Sequence, residues 1–190
     1  MKSDPKSAAK KPVTSSHTAQ KGGAARAAMS GHYMTTKTAA TTQQPPQLPL
    51  RFEQVFLSPP SERINTIKRG VPAEHINVLA ERMDIAKEAL IDTLGLARAT
   101  VNRKARDNKP LSQDESERVL GIEYLIGQVE NMVKESGNPE GFDAAKWVSN
   151  WLKSPLPALG GQTPASYMDT VEGQKLVSNL LATAQSGAYA

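Results

Sequence analysis

Ala86-Lys87-Glu88-Ala89-Leu90-Ile91-Asp92-Thr93-Leu94-Gly95-Leu96-Ala97-Arg98-Ala99-Thr100-Val101-Asn102-Arg103-Lys104-Ala105-Arg106 reads as two short helices meeting at a corner. The first ends at Gly95, where the missing Cβ lets the chain take the positive φ that a tight corner needs. Leu90, Leu94, Leu96 and Val101 are spaced to close a small core between the helices, which is the pattern of a helix-turn-helix. Two positions depart from that pattern. Ile91 stands where the first helix usually carries a small residue, and Lys104 stands where an apolar residue often sits, with Ala105 as its substitute. In such motifs the second helix enters the DNA major groove. Here it presents Arg98, Thr100, Asn102, Arg103, Lys104 and Arg106, with Lys109 just beyond. Arginine pairs bidentately with guanine and asparagine with adenine, while Lys104 and Lys109 suit phosphates. From 98 to 109 five basic residues face Asp107 alone, whereas from 110 to 145 eight acidic residues face two basic ones. The basic charge is therefore focused on one helix. A plain packing unit with solvated arginines is the competing reading.

Helical signals continue on both sides. Upstream, Ser58-Pro59-Pro60-Ser61 starts a helix that runs to about Lys68 and stops at Gly70-Val71-Pro72. A second follows from about Ala73 to Met83, with Ile76, Leu79 and Ala80 on one face. Downstream, Ser112 caps a long helix to about Lys134, and Glu115, three residues later, completes a capping box. Leu120, Ile122, Leu125, Ile126, Val129 and Met132-Val133 on that helix serve either as core or as a dimer face. Ser136-Gly137-Asn138-Pro139 closes it, and another helix spans about Phe142 to Lys153. No alternating pattern of useful length indicates a strand. The fold class expected is all-α, a helix-turn-helix-containing bundle followed by a small helical C-terminal domain.

The C-terminal part carries an ordered series of stops and starts. Pro155 and Pro157 end a helix, because proline lacks the N–H and clashes with the preceding turn. Gly160-Gly161 allows a tight turn, and Thr163-Pro164 reads as an N-cap followed by proline at the first helical position. Asp169 or Thr170 caps the next helix, with Glu172 at its positive end. Leu176, Val177, Leu180 and Leu181 then form an apolar stripe, and Gly187 falls just past the helix end, before Ala188-Tyr189-Ala190.

This succession resembles the toxin-binding C-terminal domain of Xre-type antitoxins (the Xre/MbcA/ParS group), the partners of RES-domain toxins. The resemblance rests on Trp151-Leu152, Pro155-x-Pro157-x-Leu159-Gly160-Gly161, Thr163-Pro164, Asp169-Thr170-x-Glu172-Gly173 and Gly187-x-Tyr189. It implies a RES-domain toxin that degrades NAD⁺, whose active site the C-terminal domain would cover. It also implies repression of the chain's own operon through the helix-turn-helix, and a homodimer inside a toxin–antitoxin hetero-oligomer. Residues expected at the toxin are Trp147, Trp151, Leu159, Gly187, Tyr189 and Ala190. Trp147 and Trp151 lie four apart on one helix face, suited either to an interface or to core filling beneath the Pro-Leu-Pro turn. Tyr189, close to the chain end and after a glycine, suits entry into a nucleotide pocket. A stand-alone helix-turn-helix regulator, and a scaffold with a vestigial DNA motif, are the alternatives.

Composition narrows the classes further. The net charge of +4 is carried by residues 1–50, where Lys2, Lys6, Lys10, Lys11, Lys21, Arg26 and Lys37 face Asp4 alone. That segment holds almost no large apolar residue and is expected to be a disordered basic tail. It is either a solvated extension or a salt-sensitive contact to DNA phosphates. Residues 51–135 would form the DNA-binding and dimerisation domain, and 136–190 the toxin-binding domain. There is no cysteine, which removes disulfides and thiolate nucleophiles. His17 and His32 sit in the tail, His75 stands alone, and no phosphate-cradling loop is present, since Gly160-Gly161 lacks a following lysine. No enzyme activity, metal or cofactor is expected. No apolar run reaches the length of a membrane helix and no secretory signal is visible, so cytoplasmic residence is expected.

Overall fold

A 23-residue helix, α6 (Gln113–Glu135), is the axis of the molecule. At about 1.5 Å per residue it spans about 34 Å, enough for several other helices to lean on. The computed structural model describes residues 51–185. In chain order these form α1 (Phe52–Leu57), α2 (Pro60–Arg69), α3 (His75–Met83), α4 (Lys87–Thr93), α5 (Arg98–Arg106), α6, α7 (Ala144–Leu152) and α8 (Val171–Gln185). Short 3-10 turns at Pro157–Leu159 and Pro164–Tyr167 join the last two helices. No strand occurs among the described residues; the nearest thing is one antiparallel bridge between Pro72 and Pro110. The all-α expectation holds. The basic tail and Gly187, Tyr189 and Ala190 lie outside the described residues.

Local chemistry explains the starts of the last three α-helices. Ser112 Oγ accepts from Glu115 N, and the Glu115 carboxylate accepts from Ser112 N at 2.7 Å, which completes the capping box read from sequence. Asp143 Oδ1 accepts from Lys146 N at 3.2 Å to start α7. Of the two caps considered for α8, Thr170 is the one used, its Oγ1 accepting from Gly173 N at 3.1 Å. Thr163 stands at its cap position without a side-chain hydrogen bond; instead Ser166 Oγ donates to Thr163 O at 2.7 Å.

Leu120, Ile122, Leu125, Ile126 and Val129 of α6 are all buried within the single chain. These five belong to the core, covered by α1, α2, α7 and α8, and the dimer-face reading is corrected for them; Met132 and Val133, at the end of the stripe, are half-buried. Among these buried residues α6 also carries polar side chains, and each fastens a different neighbour. Ser116 Oγ accepts from Val71 N at 2.9 Å. Glu123 Oε1 meets His75 Nε2 of α3, so His75 does not stand alone. Gln128 Nε2 donates to Ser178 O of α8 at 3.1 Å while Ser178 Oγ donates to Gln128 Oε1 at 2.7 Å. A buried polar group without a partner costs free energy, so such clips favour one arrangement of helices over its alternatives. Ile91, despite its size, is fully buried in the same continuous core, which also takes in Val148, Leu152, Val177 and Leu181 from beyond residue 136.

Candidate functional sites

The first candidate is α5. Gly95 takes φ 59°, the left-handed turn expected of it, and a Cβ there would lie 2.8 Å from Asp169 Cβ. Leu96, Val101 and Ala105 turn inward. That leaves Arg98, Asn102, Arg103 and Arg106 exposed and Thr100 half-buried. Two of these cations are engaged. Arg98 Nε donates to Asp92 Oδ1 at 2.8 Å, and its Nη2 donates to Asp92 Oδ2. The Arg98 hydrogen bond holds the Asp92 carboxyl below its ordinary range. Arg106 Nε approaches Asp107 Oδ1 at 3.5 Å. Arg103 and Lys109 are exposed and form no ion pair among the described residues.

Lys104 is placed differently from its expected role as a phosphate contact. Its side chain is 19% exposed and its Nζ is bound to the Glu115 carboxylate at the start of α6. Ala105 takes the inward position, as the sequence suggested. The ammonium of Lys104 thus fastens α5 to α6 and is turned away from the open face.

Arg118 connects this region to the C-terminal part. Its Nη1 donates to Gly95 O at 2.9 Å and to Leu94 O at 3.1 Å, and lies 3.5 Å from Asp169 O. Gln174 Nε2 then donates to both Arg118 O (3.0 Å) and Met168 O (2.9 Å). Helix-end carbonyls that lack an intrahelical partner are satisfied here by one guanidinium.

The second candidate is an apolar groove of about 620 Å³ between α7, α8 and the Pro157–Leu159 turn. The Trp147 and Trp151 rings form one wall, with centroids 5.9 Å apart and planes within 11°. Leu156, Pro157 and Ala158 from the turn, Met132 from α6, and Leu180, Leu181 and Ala184 from α8 line the rest. The two tryptophans are placed differently. Trp151 is partly buried and packs on the core, whereas Trp147 is 39% exposed. Leu159, expected as a toxin contact, is buried at 8% exposure, so the fold rather than the open surface uses it. A second concavity of 560 Å³ near α1 and α2 has mixed walls, including Arg51, Glu62 and Arg63. It lacks the apolar character of the tryptophan groove.

An antitoxin Xre-like helix-turn-helix domain model matches residues 62–123, and an antitoxin Xre/MbcA/ParS C-terminal toxin-binding domain model matches residues 141–187. The "Prs ADP-ribosylating antitoxin" of Sphingobium sp. (strain YBL2) is 47% identical over 142 residues, which cover 75% of this chain and 89% of that protein. The chain belongs to the Xre/MbcA/ParS antitoxin family. An antitoxin of this family is a binding protein and not an enzyme. Among the described residues of this antitoxin there is no group of three potential metal ligands, and no helix is long and apolar enough to cross a membrane.

Two features of the antitoxin escaped the sequence reading. Met132 and Leu180 were ordinary members of helical stripes and Ala184 belonged to none, and only the turn at Pro157 makes them groove walls. Asp92 drew no notice, although it lies six residues before Arg98 across a turn that brings the two together.

Proposed function

We propose that this antitoxin neutralises a RES-domain toxin that consumes NAD⁺, seating the toxin on the Trp147–Trp151 groove, and represses its own operon through α5. The observation that carries the toxin-binding half is the exposed face of Trp147 at an apolar groove inside the family's toxin-binding segment. Exposed aromatic residues at such a concavity supply the anchors on which protein interfaces depend. The name of the Sphingobium relative couples an antitoxin with ADP-ribosylation of Prs. ADP-ribosyl transfer and NAD⁺ hydrolysis both break the bond between nicotinamide and ribose. Either toxin chemistry therefore releases nicotinamide.

The DNA-binding half rests on the helix-turn-helix match and on the open face of α5 with Arg98, Asn102, Arg103 and Arg106, flanked by Lys109. Lys104 is left out of this set. A two-fold dimer gives each α5 its own half-site. Leu120, Ile122, Leu125, Ile126 and Val129 of α6 are taken up by the core, and Leu57 and Ile64, at 61% and 47% exposure, are the large apolar residues left open on that half. The domain division at 135/136 is kept as a division of labour between DNA and toxin.

The decisive experiment measures nicotinamide release from NAD⁺ by the RES-domain protein encoded beside this chain, with and without an equimolar amount of the antitoxin. Release that the antitoxin suppresses, and that returns with a Trp147→Ala variant, supports the reading. Release the antitoxin leaves untouched refutes it.

A further inference from the structure

We propose that Asp92 is a positioning residue for operator recognition, holding Arg98 so that the free edge of its guanidinium reads a guanine in the major groove. The inference rests on the DNA-binding reading above and goes beyond it by assigning a role to a residue outside the recognition helix.

The atoms already committed determine what is left. A guanidinium has five N–H donors in a rigid plane. Asp92 takes Nε–H and one hydrogen of Nη2. The remaining hydrogen of Nη2 and one hydrogen of Nη1 lie side by side on the adjacent, outer edge, while the second hydrogen of Nη1 points back toward Cδ. Two parallel donors on that edge match the O6 and N7 acceptors that guanine displays in the major groove. Arg98 is the first residue of α5, and the N-terminal residues of a recognition helix are those that meet base edges. Asp92 sits on α4, next to the turn, and both side chains are about half exposed, so the assembled edge is open to a ligand. Glu88, one turn earlier on α4, adds to the negative field around Arg98.

A carboxylate beside DNA would otherwise be a liability. Phosphates repel it, so an Asp92 with no role beyond its charge would weaken binding to every sequence. Its place next to the DNA-facing arginine is accounted for by its lowering the freedom of Arg98 and turning the guanidinium plane. The two explanations predict opposite signs, which makes the test sharp.

The antitoxin would be used to select duplexes from a randomised DNA pool, and the enriched duplex and a scrambled one would then be titrated by fluorescence polarisation. Asp92→Ala is expected to lower affinity for the selected duplex about three- to tenfold, a fraction of the value of a good bidentate arginine–guanine contact. Affinity for the scrambled duplex should stay level or rise. In an Arg98→Ala background the same substitution should no longer lower affinity for the selected duplex, leaving it level or raised, because Asp92 acts through Arg98. Replacing the contacted guanine by 7-deazaguanine should weaken the wild type by a larger factor than it weakens Asp92→Ala. Thermal unfolding checks that the variant, altered at an exposed position, stays folded. Equal or tighter binding of Asp92→Ala to both duplexes would overturn the proposal and leave DNA recognition intact. Failure of the wild type to enrich any sequence would overturn the DNA-binding reading and this proposal together.

Discussion

Gly127→Ala sets two physical effects of opposite sign against each other. In an exposed helix the change would stabilise by about 1 kcal/mol, because alanine is the better helix former. Gly127, however, is where α6 admits α1. A Cβ at this position would lie 2.0 Å from Phe52 O, 2.5 Å from Phe52 C and 2.9 Å from Phe56 Cβ. Two of those atoms are backbone, so relief requires α1 to retreat by more than 1 Å. A gap of that size forfeits about half of the contact energy at the interface. Phe52 is 1% exposed, and removal of a core phenylalanine costs about 3–5 kcal/mol, so a half-lost seat costs about 2. The retreat also strains the Glu53 N to Glu130 Oε2 hydrogen bond at 2.8 Å and the Phe56–Tyr124 ring contact at 5.0 Å, for about 1 kcal/mol more. After the helix gain is subtracted, the net loss is about 2 kcal/mol, or a fall in Tm of about 5–10 °C for a folded part of this size. Circular dichroism melts and urea titration of the two proteins measure it. An unchanged or raised Tm would refute the close seating of α1 on α6.

Other outcomes follow from the same contacts. Trp147→Ala should weaken toxin binding about thirtyfold or more, as for an interface anchor, with little change in Tm; calorimetric titration reads the first and a melt the second. Trp151→Ala, by contrast, should lower Tm as well, since that ring packs on the core. Lys109→Ala should weaken binding to all DNA and reduce the salt slope by about one, whereas Arg103→Ala should mainly erode discrimination between sequences; polarisation titrations over a salt series separate them. Burial raises the Glu130 carboxyl above its ordinary 4.5, against the pull of the Glu53 N–H. Its contribution to stability is therefore present at low pH and lost as pH rises through the elevated folded value, so Glu130→Gln should be level with or above wild type at pH 7 and flatten that part of the stability profile. Glu115 has the opposite sign. Burial works against its charge, but Lys104 and Ser112 outweigh it and hold the carboxyl low. The stability it contributes is present above the ordinary 4.5 and lost as pH falls through the lowered value, so Glu115→Gln should destabilise at pH 7 and blunt acid sensitivity, as read from melts across pH.

Residues that act on near neighbours were legible in the sequence. Gly95, the Ser112/Glu115 capping box, the Asp169-Thr170 helix start and the inward turn of Ala105 all express rules that operate within a few positions. What involved distant partners was not. His75 looked solitary because its partner, Glu123, lies 48 residues on. Lys104 looked like a phosphate ligand because nothing local revealed Glu115 as its acceptor. The apolar stripe of α6 left core and dimer readings equal, because periodicity shows that a face is covered and not by what. The six-residue α1 went unseen as a separate helix; so short a segment has little helical preference of its own and depends on its seat against Gly127. The groove was half legible. The tryptophan spacing marked one wall, while the far wall depended on how the Pro155–Gly161 turn folds back.

The way Arg118 and Gln174 lace the α4–α5 corner to the loop before α8 bears on how such antitoxins can be recombined. The two family matches leave 124–140 between them, yet the second half of α6 in that gap supplies Leu125, Ile126 and Val129 to the common core. A hybrid joined in that gap would inherit two mismatched halves of one interior. With the toxin seated on the groove as proposed, exchanging toxin specificity while keeping the DNA-binding half calls for substitutions confined to the groove rim, around Trp147 and Pro157, and not for transplanting a whole segment.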